Sequence, residues 1–268
     1  MSRLNRKMLA FGYSSLVMLL AMSSPLSVNA KIDSYKSGLD LLQKVDCKGA
    51  IVQFNKAIIE NPKNANAYAK RGEAHYSNGQ TSKALLDYNK ALQLDPKNLD
   101  AYYGRSRVYS SKNDLNSAIK DLSKALNISP AYIEALGDRG MLYKSKGNLE
   151  AAVDDFTKAV TLAPKLRWPL VQRGLILIDL KRFDEAVSDF DSIVKFNPTD
   201  FDGYELRGKA YEKKGDFKKA YDDYSEVIRL SPDYAGGYAC RARVIEQMEG
   251  KDSANAKADK EMAKKHGA

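Results

Sequence analysis

Small and bulky apolar residues alternate along this chain at helical spacing, and the alternation returns every 34 residues. Alanine recurs at Ala50, Ala84, Ala118, Ala152, Ala186 and Ala220. Four positions on stands a bulky residue: Phe54, Tyr88, Leu122, Phe156, Phe190 or Tyr224. Three further on come Ala57, Ala91, Ala125, Ala159, Ile193 and Val227. Spacing of this kind puts each triplet on one face of a helix. A second small residue precedes each triplet, at Gly38, Gly72, Ser106, Gly140, Gly174 and Gly208. Small positions facing bulky ones let two helices approach closely and interdigitate. Each unit therefore predicts a first helix A and a second helix B. Gly79, Gly147 and Gly215 mark the turn between them. Pro62, Pro96, Pro130, Pro164, Pro198 and Pro232 end the units, because the ring removes a donor and clashes with a continuing helix.

A fixed period of this length predicts an all-α solenoid, in which each unit buries its apolar face only against its neighbours. Such an array offers a long curved surface and no obvious catalytic pocket.

These residues resemble the tetratricopeptide repeat family, whose pattern runs W-x2-L-G-x2-Y, then A-x3-F, then P. The fourth unit reads Leu136, Gly140, Tyr143, Ala152, Phe156, Pro164 against it, and the sixth reads Tyr204, Gly208, Tyr211, Ala220, Tyr224, Pro232. The resemblance implies a right-handed solenoid of antiparallel helix pairs. It runs through residues 31–234 as six repeats without insertion or deletion. Ser34 replaces the family's first aromatic in the first unit. Residues 235–268 keep Tyr238, Ala242 and Ala254, put Glu261 at a buried alanine site and lack the closing proline, as a capping helix pair should.

The first 30 residues are different material. Arg3, Arg6 and Lys7 precede a mostly apolar run from Met8 to Met22, and Val28–Asn29–Ala30 offers small residues for cleavage. This order predicts a secretory signal peptide cut after Ala30, and hence a periplasmic or secreted protein. The competing assignment is a retained membrane anchor, for which 15 apolar-run residues are short of the about 20 a spanning helix needs. After cleavage no transmembrane segment is expected. Losing three bases and no acid takes the formal charge from +9 to +6. Cys47 and Cys240 fall at opposite ends of the array, too far apart to bridge. Cys47 takes a core slot, and Cys240 is the expected exposed thiol.

Catalytic and cofactor chemistry is not expected. His75 and His266 are the two histidines, and no phosphate-cradling glycine loop, nucleophile elbow or cysteine cluster occurs. Carboxylates recur on the 34-residue ruler, which marks structure. Arg71, Arg105, Arg139, Arg173, Arg207 and Arg241 each precede the small residue of helix A. Asp87, Asp121, Asp155, Asp189 and Asp223 each precede the bulky residue of helix B. Each Asp stands 16 after one Arg and 18 before the next. Bidentate Arg–carboxylate pairs suit a glue between helices. The matched acids argue against nucleic acid as a partner. Joint loss of both charges at Ser37 and Gln53 fits pairing within a unit. Arg241, with Lys257 at its matching site, fits pairing to the next unit, so the sequence leaves the partner open.

The resemblance further implies an inner groove lined by helix A, and protein or peptide partners. Carried over site by site, the fourth repeat presents Met141 there and the fifth presents Trp168, Val171, Leu175 and Ile178. Leu175–Ile176–Leu177–Ile178 is apolar all round, which suggests a contact with a partner or with a second copy of the chain. The expected function is an exported, non-catalytic adaptor in an envelope or secretion-related assembly. The alternative is a cationic protein that associates with anionic wall polymer or a lipid surface.

Overall fold

The computed structural model describes residues 33–267. The leader and its cleavage after Ala30 lie outside them. Fourteen helices follow one another among the described residues, in antiparallel pairs. They are α1 (Ser34–Gln43) and α2 (Cys47–Glu60), α3 (Ala65–Ser77) and α4 (Thr81–Leu94), α5 (Leu99–Ser111) and α6 (Leu115–Ile128). Next come α7 (Ile133–Ser145) and α8 (Leu149–Leu162), α9 (Arg167–Asp179) and α10 (Phe183–Phe196), α11 (Phe201–Lys214) and α12 (Phe217–Leu230), then α13 (Ala235–Glu249) and α14 (Ala254–Lys265).

Local chemistry sets the helix starts. Asp46, Asn64, Asn98, Asp114, Asn148, Asp216 and Ser253 each accept a backbone N–H of the first turn through the side chain, which satisfies an otherwise orphaned donor. The A–B turn requires a left-handed residue. Gly79, Gly147 and Gly215 supply it at no steric cost, with φ of 75°, 76° and 86°. In the other three repeats Val45, Asn113 and Lys181 take the same slot at φ 61°, 60° and 61°.

Packing follows the small–bulky code. A Cβ added at Gly174 would stand 2.5 Å from the Phe190 ring, and one at Gly38 would stand 2.6 Å from Phe54. Helix A therefore lies directly on the aromatic of helix B. Where the third repeat has Ser106 in place of glycine, the facing residue shrinks to Leu122, and both are buried. Ala50, Ala84, Ala118, Ala152, Ala186 and Ala220 are fully buried. Each helix packs on the next along the array, and A helices of neighbouring units also touch one another, as α3 does α5. The A row is thus the inside of the curve, and the B helices spread on the outside.

Two expectations change at the C-terminus. The cap's buried positions are Ala256, Asp259 and Ala263, not Ala254, Lys257 and Glu261, which are exposed. α13 runs to Glu249 and breaks at Gly250, which slides α14 two residues along the ruler. Cys240 is not an exposed thiol either. It is half-buried against the Ala220–Tyr224–Val244 cluster, and burial pushes its thiol pKa up.

Candidate functional site: the inner groove and its supports

The arginine row is a set of two-sided clamps. Nε and Nη2 of Arg139 donate to Asp155 at 2.8 and 2.7 Å, and Nη1 donates to Ser123 at 2.9 Å. Ser123 belongs to helix B of the preceding unit. The same fork joins Arg71 to Asp87 and Asn55, and Arg105 to Asp121 and Asn89. It joins Arg173 to Asp189 and Thr157, and Arg207 to Asp223 and Asp191. Arg241 reaches Ser225 and Asp259. The pairing left open by the sequence is therefore within the unit. Each guanidinium also grips the unit before it, so one residue type ties three helices. Hydrogen bonding to the aspartate raises the Arg139 pKa. All six arginines are committed, and they do not face the groove as free cations.

The groove wall carries different chemistry. Trp168 is the second residue of α9 and is followed by Pro169, which a first helical turn tolerates. Its ring meets Phe156 edge-on at 6.1 Å between centroids. The ring also lies over α7: a Cβ on Gly137 would be 2.3 Å from it. Gly137 is a saddle for the indole, a role the sequence pattern did not reveal. Even so, Trp168 stays 37% exposed, and Met141, one turn past the saddle on α7, is 41% exposed. The apolar run behind them divides. Ile176 and Leu177 are core. Val171 and Ile178 are half-buried on that core, and Leu175 is half-buried.

Next to this apolar strip lies a cleft of about 300 Å³, lined by Tyr76, Ser106, Arg107, Ser110, Asp138 and Met141 among others. Arg107 stands 5.1 Å over the Tyr76 ring, a cation–π contact. The Tyr103 ring lies 4.9 Å from Tyr132, and the Tyr103 hydroxyl faces Asp138. Loss of water around the groove wall raises the Asp138 pKa. Burial pushes Tyr132 up to about 12, so its hydroxyl stays protonated at neutral pH. The cleft presents a guanidinium, a carboxylate and hydroxyls beside an apolar strip. That set can hydrogen-bond an extended chain while an apolar side chain is buried.

The last repeat of the groove is tied to the cap. At the C-terminal end Arg243 forks onto Glu212 at 2.6 and 2.8 Å, and the Tyr224 hydroxyl donates to the same carboxylate at 2.9 Å. Glu212 is thereby occupied in holding the cap. His75 is buried, with Nδ1 2.7 Å from Gln80 Oε1. Among the described residues no group of three His, Cys, Asp or Glu side chains comes together to hold a metal ion.

Comparison with known proteins fits this architecture. Family models described as TPR repeat and tetratricopeptide repeat match residues 72–110, 99–132, 133–166, 170–200 and 201–234. No curated protein sequence matches the chain. Among solved structures, YrrB, described as "a TPR protein with an unusual peptide-binding site", is 28% identical with a TM-score of 0.61, and the match covers 69% of this chain and 95% of that one. The C-terminal part of a TPR repeat-containing protein from Cytophaga hutchinsonii aligns with a TM-score of 0.71 at 18% identity, covering 87% of this chain and 93% of the other. A tetratricopeptide repeat protein from Parabacteroides merdae gives 0.57 at 24% identity, covering 88% and 92%.

Proposed function

The chain belongs to the tetratricopeptide repeat family, and we propose that it is an exported, non-catalytic adaptor that seats a peptide segment or protein face in its inner groove. Proteins of this fold are generally binding scaffolds, and their partners are proteins or peptides. The observation that carries the reading here is the Trp168 indole, laid on Gly137 and left partly open beside Met141. A pre-seated aromatic loses little freedom on binding, and such anchors dominate interface energies. The adjacent polar cleft supplies direction for an extended backbone. The likeness to YrrB, whose description names a peptide-binding site, supports the same use of the groove.

Export rests on the leader read from residues 1–30. No helix among the described residues is long and apolar enough to cross a membrane. From the leader alone we infer an envelope or secretion-related assembly. Affinity capture from an envelope extract, run in parallel with wild type and Trp168→Ala, tests the proposal. A partner retained by wild type and lost with Trp168→Ala is the expected result. Equal retention of every captured protein overturns it.

A further inference from the structure

The outer face is not uniform, and its first half is unlike its second. Val52, Ile59 and Leu86 are 51%, 79% and 69% exposed on α2 and α4. Val52 and Leu86 occupy one repeat position, which later units fill with Lys120, Asp154, Ser188 and Asp222. The Ile59 position is filled later by Gln93, Asn127, Thr161, Lys195 and Arg229. These aliphatic residues are therefore departures from the repeat, not part of its core code. Around them stand Lys48, Lys56, Lys83 and Lys90, all exposed, and none has an ion-pair partner among the described residues. The only acids on α2 and α4 are Glu60 and Asp87, and Asp87 is clamped by Arg71. On α8, α10 and α12 the charges are instead mixed and largely paired, with Glu150 on Arg182, Asp184 on Lys214, Asp222 on Lys218 and Glu226 on Arg229.

We infer that the outer face of the first two repeats docks onto an anionic lipid bilayer. Val52 and Ile59 stand apart on a convex surface, and only Leu86 borders a cleft, one of about 420 Å³ shared with Ile51, Asn55 and Lys83. Aliphatic side chains so scattered suit a deformable layer into which each can insert separately. The surrounding lysines complement anionic headgroups, each contributing near the surface. A second copy of the chain is a poor occupant, since symmetric contact would press lysines against lysines. This face is opposite the groove, so a lipid-bound molecule keeps the groove open to a partner. The inference does not depend on what the groove binds.

The test uses the full chain and vesicles of phosphatidylcholine, with or without about a third of phosphatidylglycerol, the anionic lipid carrying a photoactivatable group. Cross-links mapped by mass spectrometry should fall within 47–60 and 81–94. The triple variant Val52→Ser, Ile59→Ser, Leu86→Ser should lose those cross-links by about tenfold or more. Lys48→Glu with Lys83→Glu should do the same, and raising salt should weaken the wild type. The mutated side chains are exposed, and an unchanged helical signal confirms that the variants fold. Cross-links confined to residues 1–30 or to α8–α12 overturn the inference. So does a triple variant that keeps its cross-links, or one that changes oligomeric state in sedimentation without changing lipid attachment.

Discussion

Arg241 grips Asp259 through two hydrogen bonds of 2.8 Å across a separation of 18 residues, where every other clamp in the array spans 16. The pairing chemistry is conserved inside the chain while its register moves. The cap has gained two residues at the α13–α14 turn, and α14 has slid until an aspartate meets the guanidinium.

Loss of a clamp should therefore be costly wherever it stands. Asp155 is 2% exposed, and removing it leaves Arg139 half-buried and uncompensated. Asp155→Ala should destabilise by about 3 kcal/mol, near the low end for breaking a buried pair. Asp259→Ala should act in the same direction, whereas Lys257→Ala, at the nominal 16-residue position, should be close to neutral. Thermal melts of the three variants check this. A neutral Asp155→Ala would reduce the clamps to a solvated ornament.

The turn residues allow an opposite test. Val45 sits at φ 61° and is 80% exposed. A β-branched residue pays for the left-handed conformation and gains no packing there. Val45→Gly should raise stability by about 1 kcal/mol, and Lys181→Gly should do so by a similar or smaller amount. Gly147→Val should lower it. An unchanged or reduced melting temperature for Val45→Gly would show that the turn carries no strain.

Most of the fold could be read from the chain because its signals are redundant. The positions of Ala152, Phe156 and Ala159 recur buried in all six repeats, even where the last is Ile193 or Val227, so a single unit's departure cannot hide the period. Ser106 facing Leu122 illustrates the limit. Each departs from the pattern alone, and only together do they conserve the volume between α5 and α6. The cap misled for the reason just given, since a ruler cannot register an insertion in the last turn before the chain ends. The groove was less legible than the stack. Gly137 looks like any small residue in sequence, and its use as the saddle for Trp168 depends on how far α9 approaches α7. The run at 175–178 is apolar all round in sequence, yet helical geometry sends Ile176 and Leu177 inward.

The junction of the sixth repeat and the cap should report on pH. Burial pulls the Glu212 pKa up, but its hydrogen bonds with Arg243 and Tyr224 prevail, and the net shift is downward. A carboxyl whose folded pKa lies below its unfolded value stabilises fully above the unfolded value, about 4.3 for Glu, and loses that contribution as pH falls through the folded one. The difference in melting temperature between wild type and Glu212→Gln should thus be largest above about pH 5 and shrink in more acid solution. Asp189 and Asp223 are shifted upward by burial and favour the protonated folded state on acidification. The comparison with Glu212→Gln cancels their contribution. A difference that does not vary with pH would mean that Glu212 acts only through packing.

Trp168 carries the functional reading, and its geometry makes two distinct tests available. It is the only tryptophan, so emission reports on it alone. At 37% exposure it should emit as a partly solvated indole in the free protein and shift blue when a groove ligand covers it. Trp168→Ala removes the anchor and should weaken partner binding by about 2 kcal/mol or more, with a smaller loss of stability because the ring is not fully buried. Gly137→Ala tests the saddle without touching the tryptophan. Its added Cβ would stand 2.3 Å from the ring, so the indole must tilt away from α7. Binding should fall with the indole still present, and free-protein emission should move red. If Gly137→Ala binds as wild type does while Trp168→Ala unfolds, the indole is a core residue of the fourth and fifth repeats, and the groove contact must be sought in the neighbouring cleft at Arg107 and Asp138.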